Sequence, residues 1–240
     1  MHPPRLTHGR VAVAVAVVVV LSGGFLGVYL GLLGGSSKAP LTLSTAGSSA
    51  DPSASPASAT RAAGTWTIAS GSVAGYRVRE QLGFLPAPSD AVGRTSDVTG
   101  TVTIAGTSGA LTVPEANLTV DVSTLTSDRP MRDQRIHVDG LQSDTYPRAT
   151  FQLTQPISLP ANATGGGTIT VQATGKLTIH GTTQTVTIPL TARLSANKIE
   201  VAGSITFPFE RFGMTPPSIA GLVSVQDSAT MEFDIKLRRA

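Results

Sequence analysis

From Thr65 onward, bulky apolar residues recur at every second position, run after run. Leu177 and Ile179 alternate with Lys176, Thr178 and His180, and after Gly181-Thr182-Thr183 the pattern resumes as Val186, Ile188 and Leu190 against Thr185, Thr187 and Thr191. A period of two puts the apolar residues on one face of a strand. Two such strands around a short glycine-containing break predict a β-hairpin. With one face oily and the other mostly Thr, its sheet covers an apolar interior and shows water its other side.

The same reading applied along the chain predicts an opening pair at Trp66, Ile68 and then Val73, Tyr76 and Val78, followed by Val98, Val102 and Ile104. Leu111 and Val113 lead to Pro114, after which Leu118, Val120 and Val122 resume with the parity shifted by one. That shift predicts a bulge or bend near Pro114-Glu115. Ala149, Phe151 and Leu153 follow, then Ile169 and Val171, then Ile199, Val201, Ile205 and Phe207. Met231, Phe233, Ile235 and Leu237 close the series, alternating strictly with Thr, Glu, Asp and Lys. At least eight such runs, joined by Thr-, Gly- and Ser-rich connections, predict an all-β antiparallel sandwich or barrel. Leu125–Tyr146 lacks the alternation and holds charges, so it is expected to be a short helical or irregular excursion across one end.

The N-terminal quarter is different. Val11 to Leu33 is 23 residues without a charge, enough to cross a bilayer with some tilt. Arg5 and Arg10 precede it, which by the positive-inside rule leaves residues 1–10 as a cytoplasmic tail and everything after residue 33 outside. The expectation is a single N-terminal transmembrane helix in a bacterial-type plasma membrane; a cleaved signal, and hence secretion, is the alternative. Residues 34–63 are Ser, Ala, Thr, Gly and Pro with almost nothing bulky beyond Leu41 and Leu43, which predicts a disordered linker. As a free coil it would span about 30 Å. Residues 64–240 remain as the β domain.

Charge changes little in this picture. Residues 1–63 hold four basic residues against one acid, whereas 64–240 hold fourteen of each. The basic balance belongs to the tail and gives no reason to expect nucleic acid, which calls for Lys and Arg gathered on one face. There is no cysteine, hence no disulfide, thiolate nucleophile or Cys-ligated metal.

The charged excursion reads SDRPMRDQRIHVDGLQSDTYPRATF. Its Arg132-Asp133, Tyr146-Pro147 and Thr150-Phe151, the later Leu177-Thr178-Ile179-His180-Gly181 and the Arg211-Phe212-Gly213-Met214 turn occur in the order and spacing of one family. In these motifs the chain resembles the YceI-like family of polyisoprenoid-binding proteins over 65–239. Leu82–Thr95 and the Pro216–Val225 stretch depart from that pattern. The resemblance implies a lipocalin-like barrel of about eight strands holding a long isoprenoid chain or similar fatty amphiphile. An apolar barrel lining would then come from Phe151, Leu177, Ile179, Ile205, Phe207 and Phe233, which fall on the bulky parity of their strands. Arg132, Asp133, Tyr146, His180 and Phe212 occupy motif positions and are expected to be structural.

No arrangement for catalysis stands out. His137 and His180 lack a partner at metal-ligand spacing, and no nucleophile elbow, phosphate loop or dinucleotide fingerprint is present. Asp128, Asp133, Asp139 and Asp144 lack the alternating oxygen ligands of a calcium loop and read as solvated acids. The expectations are no enzyme, no metal and no cofactor beyond a bound lipid. A membrane-anchored lipid carrier is the leading reading, a cell-envelope scaffold with a side-chain-filled core its rival, and a lipid-active enzyme the last.

Overall fold

His180 and Gly181 make a two-residue turn, both with left-handed φ, at 51° and 69°. Two successive positive φ values define the tight turn that matches the twist of a hairpin. Ile179 therefore pairs directly with Thr182, and the turn lies one residue earlier than the Gly181–Thr183 break expected from the sequence. The strands it joins are β8 (Thr168–Ile179) and β9 (Thr182–Ser195), in register over the whole of β8.

The computed structural model describes residues 38–44, 62–83, 88–107, 110–195, 198–216 and 223–240. The expected transmembrane segment at 11–33 lies outside the described residues. None of the described helices is long and apolar enough to cross a membrane. The remaining strands are β1 (Gly64–Ile68), β2 (Val73–Leu82), β3 (Ser89–Thr95), β4 (Val98–Thr107), β5 (Ala110–Asp121), β6 (Arg148–Leu153), the short β7 (Ile157–Ser158), β10 (Lys198–Pro208) and β11 (Val223–Arg239).

All pairings are antiparallel, and the sheet closes because β11 pairs with β1. The long β11 meets β2 along its first part and β1 at its end. β1 and β2 thus act as one kinked strand, and β3 and β4 as the next. Counted this way the wall is a closed antiparallel barrel of eight strands, each beside its neighbour in the chain. Closure pairs most strands on both sides, which leaves little open sheet edge to aggregate. A register shift between β4 and β5 falls opposite Thr112–Glu115, where the parity change around Pro114 predicted a bulge.

β5 peels away from the wall at a 3-10 turn, Val122–Thr124, capped by the Asp121 carboxylate. The expected excursion follows as α1 (Pro130–Arg135) and one π-type turn (Ile136–Gly140). Proline at the first turn suits a helix start, where its missing N–H has no intrahelical partner to lose. The segment leading into the excursion meets the side of β3 away from β2 through a single bridge, Arg94 to Thr126.

One part of the expected linker is ordered. Residues 38–44 hydrogen-bond to side chains on the outer wall through Arg77, Arg94, Arg193 and Glu200. The rest of 34–61 lies outside the described residues.

Candidate functional site

The inner faces of the strands enclose a cavity of about 1030 Å³. It sits at the upper end of the ~300–1,000 Å³ usual for ligand pockets. The space exists because bulky inward residues alternate with small ones: Ala74, Ala116, Ala149, Ala173, Ala192 and Ala229 all line it. The interior is thus not filled by its own side chains, which removes the premise of the scaffold reading.

Phe151, Leu177, Ile179, Phe207 and Phe233 line this cavity. Ile205 shares their inward parity, opposite Met231, but packs at the edge of the surrounding core without lining it. Trp66 stands at one end of the wall, opposite Arg239, wholly buried, and its indole Nε1 donates to Ala62 O at 2.9 Å. The Arg239 guanidinium caps that ring 5.4 Å from its centre, so its positive charge meets the electron-rich face.

The charged residues of the lining all belong to the other end. Five of them, Asp128, Arg129, Arg132, Arg135 and Asp139, come from the excursion, and the sixth is Glu80 of β2. Arg132 Nη2 donates to Glu80 Oε1 at 2.5 Å, and Arg132 Nη1 bonds Asp128. Burial pulls the Arg132 pKa down, but the bonds and charges of Glu80 and Asp128 outweigh it and hold it above the ordinary value. Burial likewise opposes ionisation of Asp128, and the Arg132 bond overcomes it and lowers that carboxyl. Beneath this cluster the Tyr76 ring lies on Gly93 of β3, where an added Cβ would sit 2.2 Å from the ring. The Tyr76 hydroxyl is buried with no hydrogen-bond partner among the described residues. Burial pushes its pKa well above that of a free phenol, so it stays a donor.

Arg132 and Asp133 do not pair with each other. Asp133 Oδ1 instead accepts from Ser127 N at 2.9 Å and fixes the approach to α1. Tyr146 packs on His180 with ring centres 4.7 Å apart, and a Cβ on Gly181 would meet the tyrosine ring at 2.8 Å. That contact ties the end of the excursion to the β8–β9 turn. Phe212, fully buried, meets Phe207 edge-on at 4.7 Å on a 3-10 turn, Phe209–Phe212, ended by left-handed Gly213. Asp128 and Asp139 engage arginines rather than water alone. No cluster of potential metal ligands occurs among the described residues.

The family model for the YceI-like domain matches residues 65–237. The chain belongs to the YceI-like family. Its YceI-like barrel is similar to a polyisoprenoid-binding domain from Saccharophagus degradans implicated in plant cell wall breakdown. That pair is 16% identical, covers 73% of this chain and 98% of the other, and has a TM-score of 0.52. It is also similar to a Campylobacter jejuni YceI protein, at 16% identity over 62% of this chain and 84% of that one, with a TM-score of 0.50. No curated protein matches the chain.

Within this YceI-like barrel, the sequence reasoning missed the charged ring. Glu80 carried a visible signal, since it sits on the same inward parity of β2 as Ala74, Tyr76 and Val78. A carboxylate at such a position needs a buried cation. Arg132 is that cation.

Proposed function

We propose that this protein binds a polyisoprenoid or similar long-chain amphiphile inside its barrel and stores, shields or carries it. The observation that carries the reading is the cavity itself: a large apolar interior whose charged lining residues gather at the excursion and Glu80. An apolar chain gains about 25 cal/mol for each Å² it removes from water, so a few hundred Å² offsets the cost of immobilising it. Its polar end would rest among Tyr76, Arg132 and their neighbours. Membership of the YceI-like family and the fold shared with a polyisoprenoid-binding domain support the same reading. The charge-free run 11–33 supports anchoring to a bacterial-type plasma membrane with the barrel outside the cytoplasm. The role is binding rather than catalysis, without metal or organic cofactor.

Organic extraction of the purified full chain followed by mass spectrometry tests the reading. An isoprenoid or fatty amphiphile recovered in near-stoichiometric amount is expected. A chain that yields none, and that displaces no fluorescent isoprenoid analogue, overturns it.

A further inference from the structure

The outward faces of the strands should be wet, yet three neighbouring outward positions are not. Glu232 is 2% exposed, Asp234 8% and Ala202 5%, although their strand neighbours Met231, Phe233 and Val201 point inward. Residues 38–44 bind on both sides of this patch. On one side, Arg77 Nη2 donates to Lys38 O at 2.7 Å and Arg94 to Ala39 O, while both arginines grip Glu232 at 3.4 and 3.1 Å. On the other, Ser44 N donates to Glu200 Oε1 at 3.0 Å and Arg193 Nη2 donates to Ser44 O at 2.9 Å. Arg193 and Glu200 are themselves paired at 2.8 Å.

From β3 to β9 is four strand spacings, about 19 Å. Seven residues fully extended reach about 23–25 Å. The segment therefore crosses the wall as a nearly straight strap. Its side chains alternate accordingly: Leu41 and Leu43 are half-buried and Thr42 is exposed. These two leucines are the bulky apolar residues of an otherwise small and polar stretch.

We propose that the outer wall across β3, β2, β11, β10 and β9 is a binding groove for an extended peptide, and that residues 38–44 fill it as a releasable latch. The two ion-paired clusters clamp backbone carbonyl and amide groups at each end, and Leu41 and Leu43 set the register between them. Latched, the chain leaves the barrel at Lys38 beside β2 rather than at Gly64, the start of β1. A free coil of residues 34–63 reaches about 30 Å, and the latch withdraws most of that reach. The groove thus sets how far the barrel can travel from whatever holds the residues upstream. It stands apart from the cavity, and an empty barrel would leave it intact.

The chain has no cysteine, so a full-length variant carrying Thr42→Cys and Ser204→Cys, both exposed positions, takes spin labels at two sites alone. Double electron–electron resonance should give one narrow, short distance. Adding Leu41→Asp and Leu43→Asp should broaden it to that of a coil and raise trypsin cleavage after Lys38 at least tenfold, with the barrel's melting temperature little changed. A broad distribution before the leucines are replaced, or a narrow one that survives their replacement, overturns the latch.

Discussion

Arg132 and Glu80, 52 positions apart in the chain, meet at 2.5 Å across the mouth of the barrel and join α1 to β2. Their side chains are 12% and 7% exposed, so neither charge has water to fall back on. Removing one partner of such a pair strands the other, at a cost of about 3–5 kcal/mol. Arg132→Ala and Glu80→Ala should each lower the free energy of unfolding by that amount. The double variant should lose markedly less than the two losses combined. Additive losses in urea titrations of the four proteins would show that the two groups are independent.

The cavity should be closed by filling it. Ala173 lies on β8 opposite Ile188, with both side chains turned inward. Ala173→Trp puts an indole into existing space, so the β-sheet circular dichroism should persist while bound lipid is lost. Fluorescent-lipid titration reads the loss; unchanged binding would mean that the ligand sits elsewhere.

Asp234 makes an unusual prediction, because its buried Oδ1 has no hydrogen-bond partner among the described residues and Lys236 Nζ is 4.0 Å from its Oδ2. Burial first, and then the charge of Glu200, raise its pKa above the ordinary carboxyl value. A carboxyl whose folded pKa is raised favours folding below its unfolded pKa, about 3.9, and loses that contribution as pH rises through the folded value. Asp234→Asn should accordingly melt higher than the parent at pH 7, with the gain shrinking near pH 3. A lower melting temperature at pH 7 would show that the carboxylate is satisfied.

Gly181 has φ of 69° and faces the Tyr146 ring at 2.8 Å from a notional Cβ. Gly181→Val faces both backbone strain and a clash, for a loss of about 1–3 kcal/mol. The fluorescence of Tyr146 should change with it, since the ring has to yield. A thermal melt identical to the parent's would refute the tight packing of that turn.

Alternation along the strands carried the barrel, since each inward face is buried by its neighbours and parity is local information. The bulge at Pro114 and the excursion after Leu125 were legible for the same reason. Three features were not. The turn at His180 requires a histidine in the left-handed region, which local pattern assigns to the strand instead. The Arg132–Glu80 contact joins segments whose proximity depends on the closed ring, while the neighbouring Asp133 offered a nearer but false partner. The strap at 38–44 was averaged away, because composition summed over 34–63 hides a three-residue Leu-Thr-Leu alternation. The cavity was foreshadowed by small inward residues, but its volume depends on how eight strands curve together.

The seam of the barrel is made by β11, whose first part pairs with β2 and whose Leu237, Arg238 and Arg239 pair with Ile68, Thr67 and Trp66 of β1. Every other pairing in the wall joins stretches that follow one another, so the sheet can grow in chain order through local contacts. The seam alone has to wait until the last strand is in place. Through that interval the interior is an open, greasy trough rather than a chamber. An amphiphile lying alongside the nascent sheet can be wrapped by it, without threading past the charged ring at the mouth.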